Sequence, residues 1–318
     1  MNMTCAFYEL KAHHSLNAVS SALKRRGALL KVVFKAGVVG YADCHPWPEM
    51  GDLPLTQQLK CLARGELTPI TRCALEFAKL DAKARLEGKQ ILASQPIPRS
   101  HFLITALLDL TPQGVQQVIR QGYTRVKLKM GRHLDQEIQC LHSLFSNSSL
   151  KLRLDFNETL SAAAFHDFLQ QIRKLHDRIE FIEDPFPFHA DEWASIQKEG
   201  WTLACDRQAP LACDQPESAR VLIIKPALQA FAEWQKWIHQ TRIVVFLGHP
   251  LGQTAAAYVA SQVDPFCCSV HGLLSHHVYR PTSFSEQLNW KNPQFTIPSG
   301  KGFGFDDELQ QLEWTSLP

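Results

Sequence analysis

From about residue 100 onward, short apolar runs alternate with longer amphipathic segments. Eight such runs follow one another in the order HFLITALL, RVKLKM, LRLDFN, EFIEDP, TLACD, RVLIIKP, RIVVFLG and CCSVHG. Strands that alternate with helices form parallel sheets, and eight of them are enough to close a barrel. The sequence therefore predicts an α/β fold with a TIM-like barrel over residues 99–288.

The first hundred residues have a different pattern. The segment ALLKVVFKAGVVGYADCHPWPEMGDLPL predicts two strands joined at Ala36-Gly37 and then a proline-rich loop, and LTPITRCALEFAKLDAKARLEG predicts a helix ending at Gly88. Strands followed by a helix are typical of a small α+β domain, which we place at residues 1–98. We expect the tail, residues 289–318 with the turn PSGKGFGF, to pack back on this domain.

The composition is that of a soluble globular enzyme. Of the 318 residues, 45% are hydrophobic and 20% are charged, and the formal net charge is +2. A chain of this length can form one large barrel with a smaller domain beside it. The densest basic run, LKRRG at 23–27, has only three charges and predicts a solvated turn. We therefore expect no nucleic-acid partner.

The cysteines and the apolar runs indicate the compartment. Nine cysteines are an odd number without a CxxC pair, and a chain of this size needs no disulfides to fold. The segment MNMTCAFYEL lacks the basic and apolar regions of an export signal, and no apolar run approaches the ~18 residues of a membrane helix. We therefore expect a cytoplasmic protein with reduced thiols and no membrane segment.

Five consecutive apolar runs end in a charged residue. These residues are Lys129, Asp155, Glu183, Asp206 and Lys225. Their successive intervals are 26, 28, 23 and 19 residues, about one βα unit each. Because the reactive groups of a barrel lie at the C-terminal ends of its strands, we expect these five side chains to converge on one site.

The inward faces of two strands are charged where a structural strand would be apolar. Side chains alternate along a strand, so Lys127 shares a face with Lys129, and Arg153 shares one with Asp155 and Asn157. A strand buried on both faces is normally hydrophobic throughout. We therefore predict a functional inward face, on which Arg153 and Asn157 contact a substrate.

Three of the five strand-end residues are carboxylates from consecutive strands. Oxygen ligands without Cys or His favour Mg²⁺, which also leaves room for substrate oxygens. Alternatively, Asp155, Glu183 and Asp206 only pair with the lysines or cap helices, and Lys225 reaches solvent before Pro226. The agreement among five strands favours the magnesium site.

In their order and spacing these residues resemble the enolase superfamily, in its muconate-lactonizing branch, and most closely the o-succinylbenzoate synthases. That family has an α+β capping domain on a (β/α)7β barrel, a K-x-K motif, three Mg²⁺ ligands and a lysine after strand six. This chain supplies KLK, LDFN, IEDP, ACD and IKP, and GVVGYADCHPWPEMG is similar to the G-x-x-E-x-x-P segment of the cap. The resemblance covers nearly the whole chain.

The resemblance implies a role for each residue. Lys129 would be the acid/base, and Lys225 would be its partner on the opposite face of the substrate. Lys127 would lower the pKa of Lys129 and approach the substrate carboxylate. The Mg²⁺ ligands would be Asp155, Glu183 and Asp206.

The chain also departs from the family pattern. Arg207 follows Asp206 where relatives have a glutamate, and YADCHP lacks the glutamate of the cap motif. After the seventh strand, VFLGHPLG replaces a serine-rich segment, so we expect the backbone near Gly248 and the side chain of His249 to bind substrate. The glycine pair that follows the last lysine in epimerases is absent from KPALQA.

The implied activity is dehydration of 2-succinyl-6-hydroxy-2,4-cyclohexadiene-1-carboxylate to o-succinylbenzoate, for menaquinone synthesis. The partner is then a small-molecule carboxylate, and the oligomeric state stays open. One alternative is an N-acylamino acid racemase or dipeptide epimerase of the same superfamily. Another is a non-catalytic barrel that only binds, which predicts the loss of an essential group, and none of the five is missing.

Three further groups have structural interpretations. His271, His276 and His277 lack the helical spacing of a metal site, and a structural role is favoured. Cys267-Cys268 is predicted to be a packed strand pair. Trp47 either lines the mouth of the site or packs a proline-rich loop, and both interpretations stay open.

Overall fold

The computed structural model describes residues 2–318, apart from the side chain of residue 36. Its strands are β1 (Asn2–Lys11), β2 (Lys24–Val33), β3 (Val39–Cys44), β4 (Phe102–Ile104), β5 (Arg125–Lys129), β6 (Lys151–Asp155), β7 (Ile179–Glu183), β8 (Leu203–Cys205), β9 (Val221–Ile224), β10 (Thr241–Val244) and β11 (Thr315–Ser316). Its α-helices are α1 (Leu55–Ala63), α2 (Pro69–Leu86), α3 (Pro112–Arg120), α4 (Leu134–Phe145), α5 (Ala162–Gln171), α6 (Ala190–Lys198), α7 (Ala209–Ala212), α8 (Phe231–Trp234), α9 (Pro250–Val263), α10 (Ser283–Glu286) and α11 (Asp306–Gln310). The strands form two separate sheets.

The larger sheet is a curled parallel sheet in which strands β4 to β10 follow one another in chain order. Its wall is hydrophobic on the outside. Leu152 and Leu154 of β6 are fully buried, and Phe156 packs against Phe165 and Phe168 of α5 with ring centroids 6.4 and 5.0 Å away. This apolar wall leaves the inward positions free for polar groups, and the predicted α/β barrel is confirmed.

The eighth predicted strand is only partly correct. His271 and Gly272 close the barrel through single bridges, to Ser100 before β4 and to Val245 after β10. The exposed pair Cys267-Cys268 lies in the loop after α9. The carboxylate of Asp264 accepts hydrogen bonds from the backbone of residues 268 and 269 at 3.0 and 2.6 Å. These bonds hold a turn, so the prediction of a packed strand pair is wrong.

The smaller sheet is antiparallel and forms the cap, in the order β11-β1-β2-β3. Helix α2 packs on it and begins with a capping box in which Thr68 and Thr71 bond reciprocally. The chain reverses after α2 at Gly88, which has φ of +67°. The two predicted strands and the predicted helix are present, whereas β1 was not predicted.

The basic run at 23–27 is not a solvated turn. Strand β2 begins within it, and Arg25 is only 4% exposed. Its guanidinium lies 3.8 Å from the ring centroid of Trp47 and forms an ion pair with Glu49. Two partners 22 and 24 residues away therefore stabilise a buried charge that looks exposed in the sequence.

The C-terminal segment contacts the cap at several points. Asp81 of α2 accepts hydrogen bonds from the backbone of Phe303 at 2.6 Å and from Arg85 Nε at 2.6 Å. Arg85 also forms an ion pair with Asp306. A Cβ atom at Gly302 would lie 2.0 Å from Asp81, so only glycine permits this approach. The exact limits of the domains stay a prediction.

None of the helices within residues 2–318 combines the length and the apolar character needed to cross a membrane.

Candidate active site

The two lysines of the KLK segment reach the same group of carboxylates inside the barrel. Lys127 Nζ lies 2.7 and 2.6 Å from the two carboxylate oxygens of Glu183 and 2.8 Å from Asp155 Oδ2. Lys129 Nζ lies 2.6 Å from Asp155 Oδ2 and 3.2 Å from Asn157 Oδ1. Three neighbouring strands, β5, β6 and β7, therefore contribute to one charged cluster.

Two further strands complete this cluster from the other side of the barrel. Lys225, directly after β9, places Nζ 2.5 Å from Oδ2 of Asp206, which follows β8. The backbone N–H of Lys225 donates to Gln229 Oε1 at 2.7 Å, which fixes the turn after the strand. Because β6 to β8 separate β5 from β9 in the sheet, Lys129 and Lys225 approach from opposite sides.

The pKa values of the two β5 lysines move in opposite directions. Burial lowers the pKa of Lys129, and the Lys127 ammonium lowers it further, so that it ends below its ordinary value despite Asp155. For Lys127, burial is outweighed by Asp155 and Glu183, which raise the pKa. Lys129 is thus closer to the neutral form that a base requires.

The pKa of the neighbouring carboxyl group, Glu183, is shifted upward. Burial and the negative charges of Asp155 and Asp206 hold the pKa of this carboxyl group well above its ordinary range. The cluster therefore has unfavourable negative charge at Glu183, which an additional cation would relieve.

The three carboxylates have the donor chemistry of a magnesium site. Asp155, Glu183 and Asp206 are at most 5% exposed and offer only oxygen ligands. Within the described part of the chain, no group of three or more His, Cys, Asp or Glu side chains is already assembled around a metal position. Here the Lys127 ammonium lies between Asp155 and Glu183 and compensates their charge. The oxygen-only chemistry of the three side chains fits Mg²⁺.

The loop backbones at the strand ends are held in unusual conformations. Asn157 and Asp184 have φ of +50° and +41°, in the region that favours glycine. The Asp184 carboxylate accepts hydrogen bonds from the backbone N–H groups of Asp206 and Arg207, both at 3.0 Å. Burial and the charge of Asp206 raise the pKa of Asp184 to about 7. Asp184 therefore positions Asp206, a role that the sequence did not reveal.

A cavity of about 380 Å³ lies above the charged cluster, between the barrel and the cap. Its barrel side includes Lys127, Lys129 and Lys225, and its cap side includes Asn17 and Trp47. Trp47 thus lines the mouth of the site and also packs on the cap loop through Arg25, so both interpretations of Trp47 hold.

Arg132 connects the cap to the end of β5, the strand that carries the two lysines. Its guanidinium donates to the backbone oxygens of Ser15 and Asn17 at 2.7 and 2.8 Å, and also to that of Thr105. The loop at residues 15–17 contributes Leu16 and Asn17 to the cavity. Arg132 therefore fixes a part of the cap over the lysines.

Three predicted substrate contacts are not at the cavity. Arg153 is 1% exposed and bonded to Glu180, so its guanidinium is engaged inside the barrel. His249 caps α9 through the backbone N–H of Leu251, and Gly248 precedes it in the buried turn. The structure therefore does not support direct substrate contacts for these residues, whereas Asn157 does line the cavity.

Arg207, at a position where the family resemblance implies a glutamate, lines the cavity. Its Nη1 lies 2.9 Å from Glu158 Oε2, and Gln208 Nε2 lies 3.2 Å from the other oxygen of Glu158. The replacement thus brings a positive charge to this wall and ties the end of β6 to the end of β8.

The three histidines at 271, 276 and 277 contact protein groups. His276 contacts Gln253 and the backbone oxygen of Leu288, and His277 contacts the backbone oxygens of Leu274 and Leu103. In a separate contact, His271 Nδ1 accepts from the backbone N–H of residue 244. The structural interpretation of these histidines agrees with these contacts.

Two family models and one full-length relative match this chain. A family model described as "O-succinylbenzoate synthase, N-terminal domain" matches residues 3–84. A second, described as "Enolase C-terminal domain-like", matches residues 111–308. An o-succinylbenzoate synthase of Bdellovibrio bacteriovorus is 34% identical over 321 residues, which cover 98% of this chain and 97% of the relative.

Solved structures show the same fold. A dipeptide epimerase of Cytophaga hutchinsonii, complexed with Mg and a dipeptide, is similar with a TM-score of 0.78 and 15% identity, covering 99% of both chains. An L-Ala-D/L-Glu epimerase of Bacillus subtilis has a TM-score of 0.74 and 17% identity, covering 96% of this chain and 98% of the epimerase. The resemblance predicted from the sequence is confirmed. The chain therefore belongs to the enolase superfamily, in the family of its o-succinylbenzoate synthase relative.

Proposed function

We propose that this protein is a Mg²⁺-dependent o-succinylbenzoate synthase, a dehydratase that acts in menaquinone synthesis in the cytoplasm. The observation that carries the proposal is the approach of Lys129 and Lys225 from opposite sides to one cluster of three buried carboxylates. The full-length similarity to a synthase supports the choice of reaction.

In this proposal Asp155, Glu183 and Asp206 would hold Mg²⁺. When bound, the ion supplies charge stabilisation for the carboxylate group of the substrate. Removing the proton next to a carboxylate creates a second negative charge on that group, so the reaction needs such stabilisation.

Lys129 acts as the base and then as the acid. Burial and the Lys127 ammonium lower its pKa, which favours the neutral amine that a base requires. The amine takes the proton from the carbon next to the substrate carboxylate, and the electron pair of the C–H bond moves into the enediolate. The C–O bond to the hydroxyl group then breaks, and Lys129 returns the proton to the departing oxygen. Water leaves, and the ring becomes aromatic.

Lys225 stays charged on the opposite face. Burial lowers the pKa of Lys225, but Asp206 outweighs burial and raises it. Its ammonium group stabilises the flat anionic intermediate by charge and by a cation–π contact. Lys127 remains protonated beside Lys129 and approaches the substrate carboxylate.

The decisive experiment supplies the cyclohexadiene substrate to the purified protein with Mg²⁺ and follows its disappearance by absorbance. We expect turnover that is lost with a chelator and restored by added Mg²⁺. Full activity after chelation would contradict the metal assignment, and no turnover of the substrate would contradict the proposed reaction.

A racemase or epimerase activity is the second candidate, favoured by the facing positions of Lys129 and Lys225. In that reaction each lysine exchanges a proton on one face of the substrate. Incubation of an N-succinyl amino acid in D₂O distinguishes the two functions. Deuterium exchange into the N-succinyl amino acid without dehydration of the cyclohexadiene would favour the racemase, and dehydration of the cyclohexadiene without such exchange would favour the synthase.

A further inference from the structure

The floor of the cavity contains a histidine that the proposed reaction does not use. His101 precedes β4 and therefore lies toward the N-terminal ends of the strands, deeper than the catalytic lysines. It is 4% exposed and lines the cavity beside Lys127, Val245 and Gly272. Its Nδ1 lies 3.0 Å from Nη1 of Arg153, whereas its Nε2 has no hydrogen-bond partner among the described residues.

The contact with Arg153 fixes the tautomer of His101. A guanidinium group has only N–H donors, so Nδ1 of His101 must accept the hydrogen bond. In a neutral imidazole the single proton is then on Nε2. The ring thus presents an N–H donor, without a partner, to the cavity.

Arg153 is itself held in place, so this orientation is stable. Its Nε lies 2.7 Å from Glu180 Oε2, and its Nη1 also donates to the backbone oxygen of Val270 at 2.6 Å. The opposite edge of the His101 ring lies against Gly272, where a Cβ atom would come within 2.8 Å of Nε2. The absence of a side chain at Gly272 leaves the room that the ring edge needs.

The cavity has two chemically different halves. Strands β5 to β9 contribute the lysines and carboxylates described above. The half formed by β4, β10 and the closing bridge carries Leu103, Val245 and Leu247, together with the N–H group of His101. In the proposed reaction the substrate carboxylate would lie at the charged half, which leaves this apolar half for the remaining substituent.

We propose that His101 is a specificity-determining residue whose Nε2–H donates a hydrogen bond to an oxygen of that substituent. The inference rests on the proposed function and extends it to the part of the substrate away from the reacting carbon. A hydrocarbon substituent would bury this N–H group without an acceptor, which is costly. The cavity therefore selects ring carboxylates whose side chain carries a ketone or carboxylate oxygen.

Two variants separate the donor from the anchor of the ring. In His101→Asn the amide oxygen replaces Nδ1 as the acceptor for Arg153, but no atom reaches the position of Nε2. In His101→Gln the amide nitrogen reaches that position and restores a donor. Both are studied as the full chain with Mg²⁺, and unfolding temperatures verify that both fold.

Four ligands test which oxygen is bound. The product o-succinylbenzoate carries both oxygens, 2-butanoylbenzoate keeps the ketone, 2-(3-carboxypropyl)benzoate keeps the terminal carboxylate, and 2-butylbenzoate has neither. We expect His101→Asn to raise the dissociation constant of the product about tenfold, with the same loss for the analogue that keeps the bound oxygen. We expect no weakening for 2-butylbenzoate, and we expect His101→Gln to restore most of the affinity.

Equal weakening of all four ligands, or weakening of none, would overturn the proposal. The tautomer is tested separately by long-range ¹H–¹⁵N spectra of the labelled protein, in which the His101 signal is assigned by its loss in His101→Gln. A proton on Nδ1 would overturn the proposal whether or not the protein turns over substrate. If the wild type fails to dehydrate the cyclohexadiene but shows the Nε2 proton and the ligand pattern, only the proposed function fails.

Discussion

Two clusters of buried charges in this molecule differ in the groups that donate hydrogen bonds to their carboxylates. In the cap, Asp81 accepts hydrogen bonds from the backbone N–H groups of Tyr41 and Phe303 as well as from Arg85. In the barrel, the carboxylate of Glu183 accepts hydrogen bonds only from Lys127 within the described residues. The first carboxylate is therefore held by backbone N–H groups as well as by a cation, and the second by a side chain alone.

This difference separates a structural cluster from a functional one. Backbone donors stabilise a buried carboxylate permanently, because they belong to strands and turns that form on folding. The barrel cluster instead places Lys127 beside Lys129 and Asp155 beside Glu183, so like charges disturb one another's pKa values. Such perturbed groups in a cleft are typical of sites that bind and react.

The largest expected effect is at Lys129, the proposed base. Lys129→Ala removes the proton acceptor, and we expect kcat/KM for dehydration to fall by about 10³-fold, within the usual contribution of general acid–base catalysis. The unfolding temperature should change little, because Lys127 still compensates Asp155. Lys151→Ala, an exposed lysine of the neighbouring strand, is the matched control. Dehydration within tenfold of the wild type would remove Lys129 from the mechanism.

Disruption of the cap cluster around Asp81 should reduce stability and leave activity unchanged. Arg85→Ala leaves the fully buried Asp81 without its cation, and we expect the free energy of unfolding to fall by about 3 kcal/mol in urea titrations. The activity per folded molecule should be unchanged. The exposed pair of Lys89 and Glu87 provides the control, since Lys89→Ala should cost less than about 1 kcal/mol. If Arg85→Ala lost activity without losing stability, the cluster around Asp81 would be functional and not structural.

We expect Mg²⁺ to bind to the barrel cluster and not to the cap cluster. A ligand that binds the native state stabilises it, by about 2.7 kcal/mol at a concentration one hundred times its dissociation constant. We expect Mg²⁺ to raise the unfolding temperature of the wild type and of Arg85→Ala. In Asp206→Asn, which lacks one of the three proposed ligands, most of this increase should be lost. An equal increase in all three proteins would place the ion outside the barrel cluster.

The strand-end residues could be predicted because their signal is local. A two-residue period in β5 and β6 puts Lys127, Lys129 and Asp155 on inward faces, and barrel geometry brings the strand ends together. The spacing of about one βα unit then predicts which strands are neighbours. Predicting these residues required no knowledge of contacts with residues beyond the neighbouring βα unit.

The remaining features depend on partners far away in the sequence. The burial of Arg25 depends on its contacts with Trp47 and Glu49. The alternation along β6 places Arg153 on the inward face but does not predict that Glu180 holds it away from the cavity. The tautomer of His101 follows from Arg153, which lies 52 residues away. The local sequence could have identified His101. It lies two residues before Leu103 of β4, and the two-residue period places both side chains at the cavity.

The smallest expected effect concerns the pH dependence of the two neighbouring lysines. Burial lowers the pKa of Lys129, and the charge of Lys127 lowers it further. Lys127→Met removes this charge, so the pKa of Lys129 should rise and the acid limb of the pH–kcat profile should move to higher pH. The sign follows because the base acts in its neutral form, which a higher pKa makes scarcer at pH 7. A limb that stays in place, as expected for Lys151→Met, would mean that burial alone sets the pKa of Lys129.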